Sequence, residues 1–347
     1  MALQGSGSIS FGQISAEFGL PPGKNLGAYR VSETYGSMTN IALDDGIPQS
    51  GQIRFSHFYN KQLNVVVNYF NGSEERRVLA RNRYNNGPGN GRVNVIGGYR
   101  GKPGNSSGTR VIIHVNKRLG SEYDGSRGMK CALRTGNWES GTKLLVNVGG
   151  SGACIGAAGA GGKGGNRSSG HKDGKRGSSG LGVEYPINLV NFGFLAGGGG
   201  GGGGGKGEAR NNDKRGRRKS RCGWWCERRS RDRRRDRRRK GGGGGGGGQG
   251  FPGGAGGSGG GNGGNGGGNG GSGGGSGSQS GFGGGGSGGG QGAQNGANGG
   301  GFGNSGSNAN GGSGGDRGRS IVIEGNNNVN YVVQGTLFGP VVNHPVF

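Results

Sequence analysis

Two stretches decide the fold: LLVNVGGSGACIGAAGAGGKGGN at residues 144–166 and INLVNFGFLAGGGGGGGGG at residues 187–205. Both follow one plan, an apolar strand, an Asn, one residue, a Gly turn, an apolar residue and then a glycine tract. Leu144, Val146 and Val148 alternate with Lys143, Leu145 and Asn147, as Val111, Ile113 and Val115 do around His114, which gives each strand one face to bury. Similar runs start at Leu63 (LNVVVNYF), Arg92 (RVNVIGGY) and Thr109 (TRVIIHVN), between clusters of Gly, Asn and Ser. They place a β-rich domain over residues 63–195, expected to be a small antiparallel sandwich or an intertwined sheet, with no helix longer than two turns.

Working outward, the glycine dominates. Of 347 residues 100 are Gly and only 27% are hydrophobic, so a side-chain core cannot run through the whole chain. Residues 196–318 form a Gly-rich region, and between 241 and 315 Gly fills 46 of 75 positions with no charge. Such a chain is either a flexible coil or a set of polyproline-II-like rods packed through their backbones. Strands lead into each tract, and SIVIEGNNNVNYVVQGTLFG, from Ser320, provides a C-terminal strand segment over 319–347, which favours the rods. The fold class is therefore mainly β with a small N-terminal helix or turn module, fibrous and oligomeric.

Residues 1–62 have the most ordinary composition. GSGSISFGQISAEFG, from Gly5, predicts a helix of up to two turns after Ser10 that buries Ile14 and Phe18 and stops at Gly19. SGQIRFSHFYNKQ, from Ser50, echoes it. Ile9, Phe11, Ile14, Phe18, Ile53, Phe55 and Phe58 are the expected core of this module.

Residues 206–240 carry 18 Lys or Arg against 5 acids, within a chain of net charge +25. Arg217, Arg218, Arg221, Trp224, Trp225, Arg228, Arg229, Arg233, Arg234 and Arg235 are candidate polyanion contacts, because guanidinium forks match phosphate or carboxylate and indole offers stacking faces. Two plainer readings compete. One is a solvated, self-repelling insert. The other is a glycine tract read out of frame, since a GGN repeat shifted by one base encodes Arg, Trp, Cys, Ser and Gly.

Nothing points to catalysis. Cys222 and Cys226 lack two further ligands for a zinc site, Lys163 in GAAGAGGKGG is not followed by the Ser or Thr of a phosphate loop, and His57, His114, His171 and His344 recur without a partner carboxylate. The expectation is a non-enzyme without cofactors. Four cysteines in so long a chain make no disulfide framework, no apolar run reaches the ~18 residues of a membrane span, and MALQGSGSIS has no signal-peptide pattern. Assembly in a reducing cytoplasm is expected.

The opening GSGSISFGQISAEFG and the later SGQIRFSHFYNKQ resemble the N-terminal module of tail and tail-fibre proteins of marine and cyanobacterial phages, with Asn60 where that module usually has Gly. The segments from Cys131 (CALRTGNWESGTKLLVNVGGSGACIGAAGAGGKGGN) and from Tyr185 (YPINLVNFGFLAGGGGGGGGG) are similar to the strand-to-polyglycine junctions of the same fibres. The resemblance extends to residues 319–347 and leaves out 206–240. It implies a virion structural protein of the tail that takes part in host attachment by binding, and it brings no catalytic residues. Expected partners are other tail or baseplate proteins, a host surface receptor such as a polysaccharide, and further copies of the chain in a trimer. The alternative is an Arg/Gly-rich nucleic-acid-binding protein that uses residues 206–240.

Overall fold

The computed structural model describes residues 3–18, 25–29, 34–35, 38–39, 47–48, 50–69, 75–76, 78–81, 93–94, 105–122, 130–166, 170–207, 242–260, 278, 281, 283–285 and 293–344. Three regions make up the described chain: a small N-terminal module, a coiled β-structure, and a bundle of glycine rods inserted between its strands.

The module opens with helix α1, Phe11–Phe18. Ser10 and Gln13 cap it reciprocally, the Gln13 N–H donating to Ser10 Oγ (3.1 Å) and the Ser10 N–H to Gln13 Oε1 (2.8 Å). The echo is structural as well. Phe55–Phe58 forms a 3-10 turn in which the Arg54 N–H donates to His57 Nδ1 (3.0 Å), the same i to i+3 closure. Ile14, Phe18, Tyr29 and Phe58 are wholly buried, the three rings meeting edge-on or tilted at 5.6–6.1 Å. A short antiparallel pair, β1 (Thr34–Tyr35) and β2 (Met38–Thr39), lies in this part of the chain.

The strands then wind in five three-sided coils. The first holds β3 (Asn64–Tyr69), β4 (Glu75–Arg76) and β5 (Val78–Leu79), with β6 (Val93–Asn94) lying antiparallel beside β3. The second holds β7 (Arg110–Val115), β8 (Arg118–Gly120) and β9 (Cys131–Arg134). The third holds β10 (Lys143–Val148), β11 (Ala153–Ile155) and β12 (Ser179–Val183). The fourth holds β13 (Ile187–Asn191), β14 (Phe194–Ala196) and β15 (Ile321–Glu324), and the fifth β16 (Val329–Val333), β17 (Thr336–Phe338) and β18 (Val341–His344).

Corresponding strands of successive coils stack into three parallel sheets, a β-solenoid. The expected antiparallel sandwich is thus corrected. Alternation fixes which side chains point inward but not strand direction, and β10 reaches its neighbour β7 only after β8 and β9 have been laid down, not through a tight hairpin. Inward columns such as Val65, Val111, Leu144 and Ile187, and Val67, Ile113, Val146 and Leu189, form the core. The internal repeat has a different register from its sequence alignment: Val148, not Asn147, stacks on Asn191. At the corners backbones nearly touch, so a Cβ on Gly152 would lie 2.1 Å from the Val115 carbonyl oxygen. Arg134 of β9 ion-pairs with both Glu184 and Glu324, tying three successive coils on one edge.

The glycine tracts leave the solenoid between its second and third faces. Residues 156–165, 172–178, 197–206, 242–249, 252–260, 294–303, 304–310 and 312–318 run as extended rods outside the sheets, with an isolated antiparallel bridge between Gly205 and Gly311. In the rod 197–206 every consecutive N–H addresses a different neighbour. Gly198, Gly201 and Gly204 donate to Ser178, Lys175 and Lys172; Gly199, Gly202 and Gly205 donate to Gln249, Gly246 and Gly243; Gly200, Gly203 and Lys206 donate to Asn304, Ser307 and Asn310. The same rod accepts from 156–165, 294–303 and 312–318, so it has six rods around it. A period of three with negative φ at the described rod glycines, Gly303 at a rod end excepted, is polyproline-II geometry.

This packing explains the composition. A Cβ on Gly200, Gly201 or Gly202 would sit 1.9–2.1 Å from a neighbouring carbonyl oxygen, so a rod enclosed on all sides must be glycine throughout. A peripheral rod needs glycine only at each third, inward-facing residue. KDGKRGSSG at 172–180 and GSGGDRG at 312–318 follow that rule, with Gly174, Gly177, Gly312, Gly315 and Gly318 inward and the charged residues outward.

Candidate functional site

The direction of each rod follows from its ends. Residue 156 continues from β11, 178 leads into β12, 197 continues from β14, and 318 leads into β15, so these residues are next to the solenoid. Residues 165, 172, 206, 243, 260, 294, 310 and 312 are at the opposite end, matched by bonds such as Gly165 N–H to the Gly205 carbonyl (2.9 Å) and Gln294 N–H to the Lys206 carbonyl (2.8 Å). Nine residues at a rise of ~3.1 Å place that end about 28 Å out from the solenoid.

The connections at the two ends differ. On the solenoid side they are short and anchored. Phe251, between two rods, is buried against Ala153, Ile155 and Ala196, while its carbonyl accepts from the Ser121 N–H (3.1 Å). Phe302 lies 6.1 Å from both Phe194 and Phe338. The outer end gathers the described residues that flank 167–169 and 208–241, together with Gly260, Gln294 and the turn at Gly311. Its described side chains, Asn166, Lys172, Lys206, Ser258, Gln294, Asn308 and Asn310, are exposed and polar.

The sequence-predicted residues fall into two groups. Arg217, Arg218, Arg221, Trp224, Trp225, Arg228, Arg229, Arg233, Arg234 and Arg235 lie outside the described residues. The rods flanking that insert, ending at Lys206–Gly207 and starting at Gly242, both reach the outer end. In the N-terminal module Ile14, Phe18 and Phe58 are buried, Ile9, Phe11 and Ile53 are partly buried against them, and Phe55 is 37% exposed, stacked edge-on against Phe11 at 5.3 Å. Leu3, Tyr29, Ile47 and Leu63 complete that cluster. Leu63 carries the module into β3, and its N–H donates to the buried Glu17 carboxylate (3.0 Å).

Titratable groups in the solenoid are held for structure. His114 is buried and bonded through Nδ1 to Asn147 Nδ2 (2.8 Å), and burial lowers its pKa to about 4. Hydrogen bonds from Arg81 and then Ser106 hold Glu139 down at about 2. Burial pushes the Cys154 thiol far up, so it is a small apolar group and not a nucleophile. Among the described residues no three His, Cys, Asp or Glu side chains converge as a metal would need, and no described helix is long and apolar enough to cross a membrane.

Against this geometry the comparisons are informative. Residues 80–223, which run from β6 through β14 and take in the first three rods, match the family model of the phage tail fibre adhesin Gp38. The chain is a bacteriophage tail-fibre protein. Its role lies in attachment of the phage and recognition of the host. Among solved structures, the gp37-gp38 adhesin tip complex of the bacteriophage S16 long tail fiber is similar at 17% identity and a TM-score of 0.44, over 86% of this tail-fibre protein and 90% of that chain. No curated protein matches.

Proposed function

We propose that this tail-fibre protein is a distal adhesin, in which the N-terminal module joins other tail proteins and the outer end of the rod bundle meets the host surface. It works by binding and not by catalysis, and it is assembled in the host cytoplasm before joining the tail. The observation that carries the reading is the asymmetry of the rods. Their inner ends are tied to the solenoid by short turns and buried Phe251, while their outer ends bring separate polar chain segments into one exposed plane. Loops on a rigid frame are where recognition is usually placed, because the frame bears the folding and the loops are left to vary.

The test separates the two ends on phage particles. Removing residues 208–241 and replacing 167–169 by Gly-Ser-Gly should leave the protein on the particle while adsorption to host cells falls. Phe18→Ala should leave particles without the protein. Unchanged adsorption with both outer segments altered would overturn the assignment of the outer end.

A further inference from the structure

Two neighbouring rods, 172–178 and 312–318, form one lateral face of the bundle, set by bonds of period three: Gly174 N–H to the Ser313 carbonyl (2.8 Å), Gly177 to Asp316 (2.9 Å) and Gly180 to Arg319 (2.9 Å). The outward positions carry Lys172, Lys175, Arg176, Arg317 and Arg319. None of these five makes an ion pair among the described residues. Two acids share the face. Asp173 is turned to the Ser313 N–H (2.7 Å), and Asp316 is exposed.

Two of these arginines, Arg176 and Arg319, stand out. Arg176 Nε is buried with no hydrogen-bond partner, a desolvation that ordinary guanidinium placement avoids by snorkelling to water. The Arg319 N–H bonds Ser179 Oγ (3.3 Å), which fixes its backbone one rod turn along from Arg176. Arg319 is lowered by burial first and then by the nearby charge of Arg176, opposed in part by Cys131, so the two cations sit in each other's field, and the exposed Asp316 forms no ion pair with either among the described residues. Like charges held together on a rigid backbone await an external anion.

We propose that this face binds an acidic polysaccharide, with Arg176 and Arg319 taking one carboxylate or sulfate and Lys172, Lys175 and Arg317 following the chain along the rods. Residues three apart on a rod are separated by ~9 Å, close to the length of a disaccharide unit, so cationic positions recur in step with an extended polymer. The adjoining rod 304–310 offers exposed Asn304, Ser305, Ser307 and Asn308, which suit sugar hydroxyls. These rods carry no aromatic side chain on which a base could stack, which sets the face apart from a single-strand nucleic-acid groove. The proposal rests on the attachment reading only for where such a polymer is met; the chemistry of the face stands without it.

The experiment uses the full-length protein with polygalacturonate, dextran sulfate, neutral dextran and single-stranded DNA as probes, and phenylglyoxal labelling read by mass spectrometry. Polygalacturonate should protect Arg176 and Arg319, and neutral dextran should not. Dextran sulfate protecting them in its place moves the ligand from carboxylated to sulfated polymers. R176Q/R319Q should weaken acidic-polymer binding at least tenfold, as expected for losing two charge-assisted bonds, with no fall in Tm because the pair is mutually repulsive. The proposal is overturned if both residues label equally with and without polymer while arginines of 208–240 are protected, if DNA protects them as well as polysaccharide does, or if R176Q/R319Q lowers Tm and leaves binding intact. Particles carrying R176Q/R319Q report separately on attachment: normal adsorption with lost polymer binding by the purified protein would sink a role in attachment and leave the site standing.

Discussion

The solenoid and the rod bundle are joined through the same strands yet are stabilised by opposite means. In the solenoid, Val, Leu and Ile columns fill the space between three sheets, and stability comes from apolar area removed from water. In the bundle there is almost nothing to bury but backbone. Rods close enough to bond on every side leave no room for a Cβ, so stability comes from hydrogen bonds and close packing, against the large entropy cost of ordering glycine. A side-chain core tolerates change by degrees, whereas a backbone core admits it only where a rod faces outward.

The sharpest way to break this comparison is to add an atom where none fits. Gly200→Val should cost more than the roughly 1–3 kcal/mol of an overpacked side-chain core, because the branched side chain meets the Gly315 carbonyl at 1.9 Å and backbone cannot repack. Amide exchange in the rods should then become fast while β7 and β10 stay protected. The outward control, Ser307→Val, at an exposed position of a peripheral rod, should change stability by less than about 0.5 kcal/mol. Equal effects at the two positions would show that the rods are not the enclosed lattice described.

A more local effect is expected where the two regions meet. Phe251→Ala removes the ring that seats the rods on Ala153, Ile155 and Ala196, at a cost of about 3–5 kcal/mol if the cavity does not close. Calorimetry should resolve a rod transition that moves down while the solenoid transition hardly shifts. A single transition shifting as one would mean that the regions fold as a unit.

The smallest is a pH effect confined to the solenoid. His114 is depressed to about 4 when folded, so the unfolded chain takes up its proton first. Its contribution is present in full above ~6.5 and is lost as pH falls from there towards 4, amounting to about 3 kcal/mol. Glu139, held near 2, adds a second loss below its ordinary carboxylate range. His114→Gln should flatten the solenoid Tm between pH 6.5 and 4 and leave rod exchange unaffected.

Much of this division was legible from residues. The strands from Leu63, Thr109, Thr142 and Ile187 carry side chains long enough to show period two, and Ile14, Phe18 and Phe58 announce the module core. The direction of the sheets was hidden because β8, β11 and β14 have three residues each, too few for a pattern, and β12 has Gly at two of its five positions. Phe55 is more exposed than its echo of Phe11 suggests, since a 3-10 turn of four residues covers less than the helix does. The signal for the lateral face lay in plain view in KDGKRGSSG, whose glycine period of three marks a rod with one inward edge, but the longer polyglycine runs drew attention away from it.

The alternating rods also have a mechanical consequence. A pull at the outer end is applied along the rod axes, perpendicular to the hydrogen bonds that join them, so the bonds of a rod are loaded together in shear and do not open one after another. Each rod passes tension sideways to as many as six neighbours, and the seat at Phe251 delivers it to the stacked coils. A fibre tip made this way can hold a moving particle to a surface with no covalent cross-link and hardly any side chains in its interior.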